Sequence, residues 1–449
     1  MKKILFSFYN IILLVFSPFF FIILLFLGLI KNNKSAGFFY KFFPFAYKPL
    51  RSAGNRAVWI HAVSLGELRA SVNFIGLIKE RTGKNIYLSV TTRTGYDSAK
   101  ELYKNNKYVS VFYFPYDFNF SVKSVLKLLE PVLFISVETE IWPNLFNMLK
   151  ERNIPVAVIN ARISDSSYKN YLNFAFFFKH VFGKIDLVLC ISGAYCEKFS
   201  ALGVKRENMH ATGNMKFDLD ISSVAKDLEE KSRNLKNIFK AGKIIAAGST
   251  HKGEERLIID AAAKLNESER NEKIFLFIAP RHPERFAEVE GLLKDMGAEY
   301  YKLSYIYSQG CGADILKSGA QTPAVILVDI IGELLAVYNI CCVAFVGGSM
   351  VNAGGHNLLE PLFFGKPVIF GSYIENFREI ADEIIKNRAG RKVRTPMELR
   401  DALYEYLYDE KSSDAASKNG LSLIARNKGS SILNLDYLSG LIESFNVNS

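Results

Sequence analysis

The feature that most restricts the fold of this chain is a regular alternation of short apolar runs with longer amphipathic segments, beginning near residue 57. This alternation is typical of parallel β-sheets whose strands are joined by covering helices. It predicts helices at residues 94–103 and 142–152, the second opened by Pro143 in its first turn. The predicted strands form two series: 57–63, 86–91, 109–114, 132–137, 156–159 and 187–191, then 244–247, 274–278, 325–328, 342–346 and 368–370.

The two series predict two domains, because 449 residues exceed what one compact core usually holds. We expect an α/β fold with two Rossmann-like domains and a cleft between them. Residues 34–221 would form the N-terminal domain and residues 242–449 the C-terminal domain. The charged stretch 222–241 is the best linker candidate, although a surface helix explains it equally well.

The charge of the chain predicts an anionic partner. The net charge is +11 and the pI is about 9.1. These values suit phospholipid, a phosphorylated glycolipid or nucleic acid, and charge alone does not distinguish them. The cysteines show no CxxC spacing and are typical of reduced residues in a cytosolic compartment. They are Cys190, Cys196, Cys311, Cys341 and Cys342.

The N-terminal residues 4–30 are almost entirely apolar and predict a membrane anchor within residues 1–33. As a helix this run would extend about 40 Å, enough to cross a bilayer. Lys31 follows it instead of a small-residue cleavage site, which favours a retained anchor over a signal peptide. More lysine and arginine residues follow the run than precede it, so the positive-inside rule places the domains in the cytoplasm. Pro18 leaves open a bent helix lying in one leaflet, continued along the interface by residues 38–45.

A glycine-rich run at residues 347–361 joins a predicted strand to an amphipathic segment and suggests a nucleotide site. Glycine lets backbone N–H groups approach a phosphate closely, and a helix N-terminus adds partial positive charge. Glu360 would then bind ribose hydroxyls. A tight strand-to-helix connection without a ligand is the alternative.

Acidic residues follow two strands of the first series. Glu67 comes after the first strand, at the sheet edge where open α/β folds bind ligands, and there a carboxylate can act as a general base. Glu138 and Glu140 come after the fourth strand. The alternative is that Glu67, and one of Glu138 and Glu140, are only helix-start residues, which for Glu67 the helix dipole would favour.

Two basic residues also follow predicted strands: Lys216 within 213–218 follows a strand-like stretch at 210–212, and Arg281 within 279–285 follows the strand 274–278. Both would face the cleft and balance substrate charge, although an exposed cation at a strand end is often only solvated. The turns 248–255 and 332–334 suit either an acid group or simple helix capping.

We predict neither a metal nor another cofactor. The pair Asp218 and Asp220 resembles the acidic pair that holds a divalent cation in some glycosyltransferases, but such spacing is common by chance. The histidines form no HxH or HExxH pair, which argues against zinc.

Taken together, these segments closely resemble the 3-deoxy-D-manno-oct-2-ulosonic acid (Kdo) transferases of lipopolysaccharide biosynthesis. The resemblance implies a GT-B enzyme of the inner membrane, with an acceptor domain followed by a CMP-sugar domain. It would move Kdo from CMP-Kdo to a lipid A precursor, lipid IVA, with inversion and without metal, and nucleic acid would not be a partner. The segments that carry it are 61–67, 138–144, 160–162, 213–218, 247–255, 279–285, 332–334 and 347–361.

The same resemblance implies roles for individual residues. Glu67 matches the general base, while Glu138 and Lys216 match residues that stabilise the transition state. Leu358 and Ile330 depart from the family pattern without removing a charge. A GT-B enzyme that uses a UDP-sugar and a lipid acceptor, and a non-catalytic nucleotide-sugar binder at the membrane, remain alternatives. The implied CMP-binding positions are Pro280, Arg281, Gly332, Glu333, Leu334, Asn357, Leu358, Leu359 and Glu360.

Overall fold

The computed structural model describes residues 5–18, 36–43, 57–218, 225–240, 242–265, 273–309 and 324–447. Its chain forms two compact units. Unit 1 consists of Met1–Asp218 together with Asn427–Ser449, and unit 2 consists of Leu219–Arg426. The sequence predicted one domain from residue 242 to the end, whereas the structure returns the last residues to unit 1.

The sheet of unit 1 has seven parallel strands: β1 Val58–Ala62, β2 Ile86–Val90, β3 Val109–Tyr113, β4 Leu133–Val137, β5 Val156–Ala161, β6 Leu187–Cys190 and β7 Met209–Ala211. Their order is β3-β2-β1-β4-β5-β6-β7. The chain begins at the central strand β1, adds β2 and β3 on one side, and then crosses to add β4 to β7 on the other side. The topological switch point therefore lies between β1 and β4, and ligands of open α/β sheets bind at the carboxyl ends of such strands.

Helices cover both faces of this sheet. Alternate residues of β1 point to opposite faces, so Trp59 packs with Phe112 and Phe134 while Ile60 packs with Phe74 on the other side. Complete burial of such side chains stabilises the fold by about 1.5–3 kcal/mol each. The helices of unit 1 are residues 5–18, Ala36–Phe42, Leu65–Thr82, Arg93–Leu102, Asn119–Leu129, Pro143–Glu151, Asp165–Asn173, Ala175–Phe182, Gly193–Ala201 and Ser430–Val447.

The sheet of unit 2 also has seven parallel strands: β8 Gly242–Thr250, β9 Lys273–Pro280, β10 Tyr300–Lys302, β11 Ala324–Leu327, β12 Val343–Val346, β13 Val368–Phe370 and β14 Gly390–Lys392. Their order is β10-β11-β9-β8-β12-β13-β14, which puts the switch point between β8 and β12. The predicted class of two parallel-sheet α/β domains is confirmed. The helices of unit 2 are Ala225–Ile238, Glu254–Ala263, Phe286–Asp295, Leu303–Gln309, Leu334–Ile340, Leu359–Phe363, Arg378–Lys386, Pro396–Tyr408 and Glu410–Asn427.

The predicted linker at 222–241 contains the helix Ala225–Ile238. This helix packs against Leu334–Ile340 and buries Leu228 and Leu235, so it is part of the core of unit 2. The interpretation as a surface helix was closer than the interpretation as a connector.

The N-terminal helix at residues 5–18 lies on unit 1. The polar residues that interrupt its apolar sequence find partners there: the Tyr9 hydroxyl donates to Asp117 Oδ2 at 3.1 Å, and the side chain of Asn10 bonds that of Asn144. Phe8, Ile11, Leu14, Val15 and Phe16 are exposed. No helix among the described residues is long and apolar enough to cross a membrane, so the structure does not show the predicted anchor helix. Residues 19–33 of that prediction lie outside the described part.

Candidate active site

Three residues other than glycine adopt left-handed backbone conformations at or just after the carboxyl ends of strands. They are Glu138 after β4, Asn160 near the end of β5 and Ser249 near the end of β8, with φ of 61°, 51° and 55°. Side chains with a Cβ rarely adopt this region, and residues that do so cluster at functional sites. These three residues therefore mark the carboxyl edges of both sheets as candidate functional sites.

Glu67 lies at the switch point of unit 1, in the first turn of the helix Leu65–Thr82. Its Oε2 accepts the Val63 N–H at 2.6 Å and its Oε1 accepts the Ser64 hydroxyl at 3.1 Å. Ser64 is the N-cap and accepts the Glu67 N–H in return; the arrangement resembles a capping box, with the Val63 N–H in place of the N–H of the N-cap residue. The alternative role as a helix-start residue is therefore real, but it leaves the carboxylate at the sheet edge.

The electrostatics of this edge raise the pKa of its carboxyl groups. Burial raises the pKa of Glu67 to about 8, and the negative charges of Glu138 and Glu140 add to the effect. Burial, together with Glu138, raises the pKa of Glu140 to about 7. Strongly perturbed groups in such a place are typical of active sites.

Glu138 is the carboxylate of this edge that is neutralised by cations. Its side chain is 11% exposed, and its Oε2 accepts from Arg162 Nε at 2.8 Å and Nη2 at 2.6 Å. Lys216 Nζ forms an ion pair with its Oε1 at 3.1 Å. Two donors of one guanidinium thus meet a single carboxylate oxygen, which orients the Glu138 side chain and leaves Oε1 to Lys216. The structure thus brings Glu67, Glu138 and Lys216 to one edge and joins Arg162 to them.

In the sequence, Arg162 stands out only as part of the segment 160–162, and no role is predicted for it. It follows β5, which neighbours β4, so its position at the end of an adjacent strand was the available signal. Lys216 lies on a short 3-10 turn, Met215–Phe217, after β7. Asn160 Oδ1 accepts the Met215 N–H at 2.9 Å, and Asn214 caps the turn through the Lys216 N–H at 3.0 Å.

The glycine-rich turn of unit 2 is closed by a buried carboxylate. Glu254, fully buried, accepts the N–H groups of Gly348 at 2.7 Å, Ser349 at 3.0 Å and Met350 at 2.8 Å. It also accepts the His251 N–H at 2.9 Å. The sequence suggested that N–H groups of this run would meet a phosphate; these three are occupied by the protein itself.

Close packing explains two glycines around this turn. A Cβ on Gly248 would lie 2.0 Å from the Tyr338 hydroxyl oxygen, and one on Gly371 would lie 2.0 Å from the Ser349 carbonyl oxygen. These two positions beside the run therefore need glycine for packing, whether or not a ligand binds.

Histidines gather over the central strands of unit 2. His251 follows β8, and its Nε2 lies 2.8 Å from Nε2 of His356, which is in the loop after β12. The two rings are stacked, with centroids 5.0 Å apart, and His282 meets His251 edge-on. Burial lowers the pKa of His251, which favours a neutral ring. Such a pair shares one proton between its facing nitrogens. No spacing in the sequence connects these three histidines.

The remaining predicted positions all lie at the carboxyl edge of the sheet of unit 2. Pro280 ends β9, and the Arg281 N–H donates to the Thr250 carbonyl at 3.0 Å. Glu333 is buried and binds Lys231 at 2.8 Å and Tyr307 at 2.8 Å. Gly332 has φ of 92°, Leu334 begins a helix, and Leu358 and Leu359 are buried.

Asn357 and Glu360 form one small polar group beside Leu358 and Leu359. The Asn357 side chain accepts the Leu359 N–H at 3.1 Å and donates to Glu360 Oε1 at 3.1 Å. These contacts tie Glu360, in the first turn of the helix Leu359–Phe363, to the loop that follows the glycine-rich turn.

Residues 38–219 match the family model of 3-deoxy-D-manno-octulosonic-acid transferase (kdotransferase). A 3-deoxy-D-manno-octulosonic acid transferase of Haemophilus influenzae is 33% identical over 392 residues, which is 86% of this chain and 88% of the relative. The chain belongs to the Kdo transferase family. The resemblance carried by the sequence motifs is confirmed, and this Kdo transferase family member is an enzyme.

Two further similarities concern only part of a relative or only the fold. A bifunctional glycosyltransferase/methyltransferase of Fusobacterium nucleatum is 37% identical over 358 residues, which is 80% of this chain but 53% of the relative, so the chain spans about half of that protein. The crystal structure of UDP-GlcNAc 2-epimerase from Neisseria meningitidis bound to UDP-GlcNAc has a TM-score of 0.52 at 13% identity, covering 86% of this chain and 100% of the other. That likeness concerns the fold alone, two parallel-sheet α/β domains of the GT-B type.

Proposed function

We propose that this Kdo transferase family member transfers Kdo from CMP-Kdo to a lipid A precursor, lipid IVA, with inversion and without a metal ion. The observation that carries the proposal is the meeting of Glu67, Glu138 and Lys216 at the β1/β4 edge. These are the residues whose motifs match the functional positions of the family. Their contacts supply a carboxylate of raised pKa beside a neutralised ion pair.

Glu67 is proposed to take the proton of the acceptor hydroxyl as the hydroxyl oxygen attacks the anomeric carbon. A base works best when its pKa is close to the working pH, and burial moves the pKa of Glu67 to about 8. The new glycosidic bond forms as the bond from the anomeric carbon to the CMP phosphate breaks, so the proton goes to Glu67 and the negative charge leaves with CMP.

Lys216, Glu138 and Arg162 are proposed to act through their charges. The transition state is oxocarbenium-like, and the Kdo carboxylate and the departing phosphate are both negative. Lys216 can stabilise such anions without reorganising, because Glu138 already holds its ammonium group in place at 3.1 Å. Preorganised charge of this kind is often the largest single term in catalysis.

CMP is proposed to bind in unit 2, at Pro280, Arg281, Gly332, Glu333, Leu334, Asn357, Leu358, Leu359 and Glu360. The support is the placement of these residues at the carboxyl edge of a doubly wound sheet, where nucleotides usually bind. Glu333 and Glu360 have side-chain partners within the protein, so the backbone of Gly332–Leu334 and of 357–360 is the simpler source of nucleotide contacts.

Membrane association is proposed to bring the enzyme to its lipid acceptor. The helix at 5–18 has an apolar face that the described part of the protein leaves exposed, with Leu14 70% and Phe16 63% exposed. The net charge of +11 favours anionic phospholipid. A position on the cytoplasmic side of the inner membrane agrees with the distribution of lysine around the apolar run.

The test is transfer from CMP-Kdo to purified tetraacylated lipid A precursor in detergent, with and without EDTA. We expect product in both buffers. Product only without EDTA would contradict the metal-free mechanism. If CMP-Kdo gives no product but a UDP-sugar does, the donor assignment is wrong; CMP binding without turnover would indicate a binding protein.

A further inference from the structure

Lys216 stands on a piece of chain with little structure of its own. The 3-10 turn Met215–Phe217 spans three residues, and the first of the two chain segments of unit 1 ends at Asp218, directly after it. A three-residue turn lacks the ladder of bonds that holds a helix. The position of the Lys216 ammonium group must therefore be set by contacts from elsewhere.

The residue after this turn is bonded to the C-terminal helix Ser430–Val447. Asp218 Oδ1 accepts the Gly429 N–H at 2.6 Å, and Oδ2 accepts the Ser431 N–H at 2.5 Å. Asp218 is thus an N-cap supplied from 211 residues away in the sequence. A carboxylate here satisfies two orphan donors of the helix and meets the positive end of its dipole.

The same helix packs against the segment on the other side of Lys216. Gly213 has φ of 89°, and a Cβ there would lie 2.4 Å from Ser430 Oγ, so the chain passes directly against the helix start. Met215 is buried in the same cluster as Leu435 and Leu438 of the helix. The helix therefore contacts the chain on both sides of Lys216, at Gly213 and Met215 before it and at Asp218 after it.

We infer that Asp218, by capping the C-terminal helix, is a positioning residue that holds Lys216 against Glu138. The inference rests on the proposed function for its kinetic consequence only. The helix belongs to unit 1 in space although it follows unit 2 in sequence. The acidic pair Asp218 and Asp220 drew notice in the sequence as a metal motif, and the first of its carboxylates is a helix cap.

The first test replaces the carboxylate by an amide. In Asp218→Asn one oxygen can still accept an N–H, but the amide NH₂ faces the second helix donor. We expect kcat for Kdo transfer to fall by about tenfold to a hundredfold, since displacements of about 1 Å have such effects, while KM for CMP-Kdo changes little. The matched control is Asp436→Asn on the same helix, which removes the surface ion pair with Arg81 and should leave kcat unchanged.

A double-mutant cycle separates positioning from general damage. If Asp218 acts through Lys216, Asp218→Asn should have no further effect on kcat in a Lys216→Ala background. An equal additional loss in that background would overturn the inference. Should Asp218→Asn fold poorly, Ser431→Pro removes one of the two helix donors in the first turn, where proline is tolerated, and enters the same cycle.

A second measurement does not depend on transfer. The rate at which an amine-reactive reagent labels Lys216, followed by mass spectrometry, reports how firmly Glu138 holds the ammonium group. Labelling should accelerate in Asp218→Asn and stay unchanged in Asp436→Asn. Unchanged labelling of Lys216 in Asp218→Asn would overturn the inference, even if the reaction proves to be a different one. A wild-type enzyme that labels as expected but transfers no Kdo would count against the proposed function alone.

Discussion

The two sheets of this protein each have seven parallel strands and a switch point, but they differ in strand order and carry different chemistry at their switch points. In unit 1 the β1/β4 edge presents titratable side chains, with Glu67 at a raised pKa beside Glu138 and its cations. In unit 2 the equivalent β8/β12 edge is occupied by Glu254, which is bound by four backbone N–H groups, and by a stacked histidine pair.

This difference indicates how the two units divide the steps of the reaction between them. Glu254 accepts four backbone N–H groups and so fixes the glycine-rich turn, whereas Glu67 accepts one backbone N–H and one hydroxyl. A buried carboxylate next to other acids is destabilised in its charged form and gains proton affinity. On this basis we expect unit 1 to perform the chemical step and unit 2 to hold the nucleotide.

The largest expected effect is that of Glu67→Gln. Transfer should fall by at least about 10² to 10⁴-fold, because the proton acceptor is lost while its volume is kept. CMP affinity, measured by calorimetry, should be nearly unchanged. Glu80→Gln, on the exposed side of the same helix, is the control. Normal turnover by Glu67→Gln would remove unit 1 from the chemical step.

Next in size is Glu254→Gln in unit 2. The amide would place donors against backbone donors in a fully buried site, so unfolding should become easier by about 3 kcal/mol. Urea denaturation and CMP binding should both show the loss, whereas Glu284→Gln at an exposed turn should show neither. If Glu254→Gln instead kept full stability and lost only turnover, the contrast between the edges would be mistaken.

The pH dependence of unit 1 gives a more moderate effect. Since Glu67 has its pKa raised from 4.5 to about 8, the native state keeps a proton that the unfolded chain has already lost between these values. Stability should therefore fall as pH rises through this window, while kcat/KM should rise toward a plateau above about pH 8.

A single substitution tests the cause of this pH dependence directly. Glu140→Gln removes one of the negative charges that raise the pKa of Glu67, so the rising limb of the pH–rate profile should move to lower pH. The position of this limb gives an apparent pKa that belongs to the interacting carboxyl groups together. A limb that stays in place would mean that another group controls the rate.

The smallest expected effect concerns the histidine pair. His356→Gln removes the 2.8 Å contact with His251 and loosens the loop before Asn357. CMP affinity should weaken by less than about tenfold, the scale of one lost hydrogen bond, with kcat unaffected. Calorimetry and kinetics together test this. A hundredfold loss of kcat at constant affinity would assign chemistry to unit 2 as well.

Much of the fold could be predicted from the sequence. The helices Arg93–Leu102 and Pro143–Glu151 lie within a residue of their predicted bounds, and so do the strands β1 to β4. The longer strands β8 and β9 extend up to three residues beyond theirs. The strands β10 and β14 were missed, because each has three residues and is largely half-buried or exposed, so neither shows an apolar run. The C-terminal helix could not be assigned to unit 1, since its pattern shows an apolar face but not what covers it.

What the sequence by itself determined is the class of fold, the family and the placement of Glu67, Glu138 and Lys216 after strands of one sheet. These follow from local periodicity and from the rule that parallel strands share a carboxyl edge. Only the tertiary structure decided which groups touch. Arg162 meets Glu138 across 24 residues, Glu254 meets Gly348 across 94, and Asp218 meets Gly429 across 211. Such contacts depend on how helices and strands pack, because packing brings together side chains whose separation along the chain carries no signal.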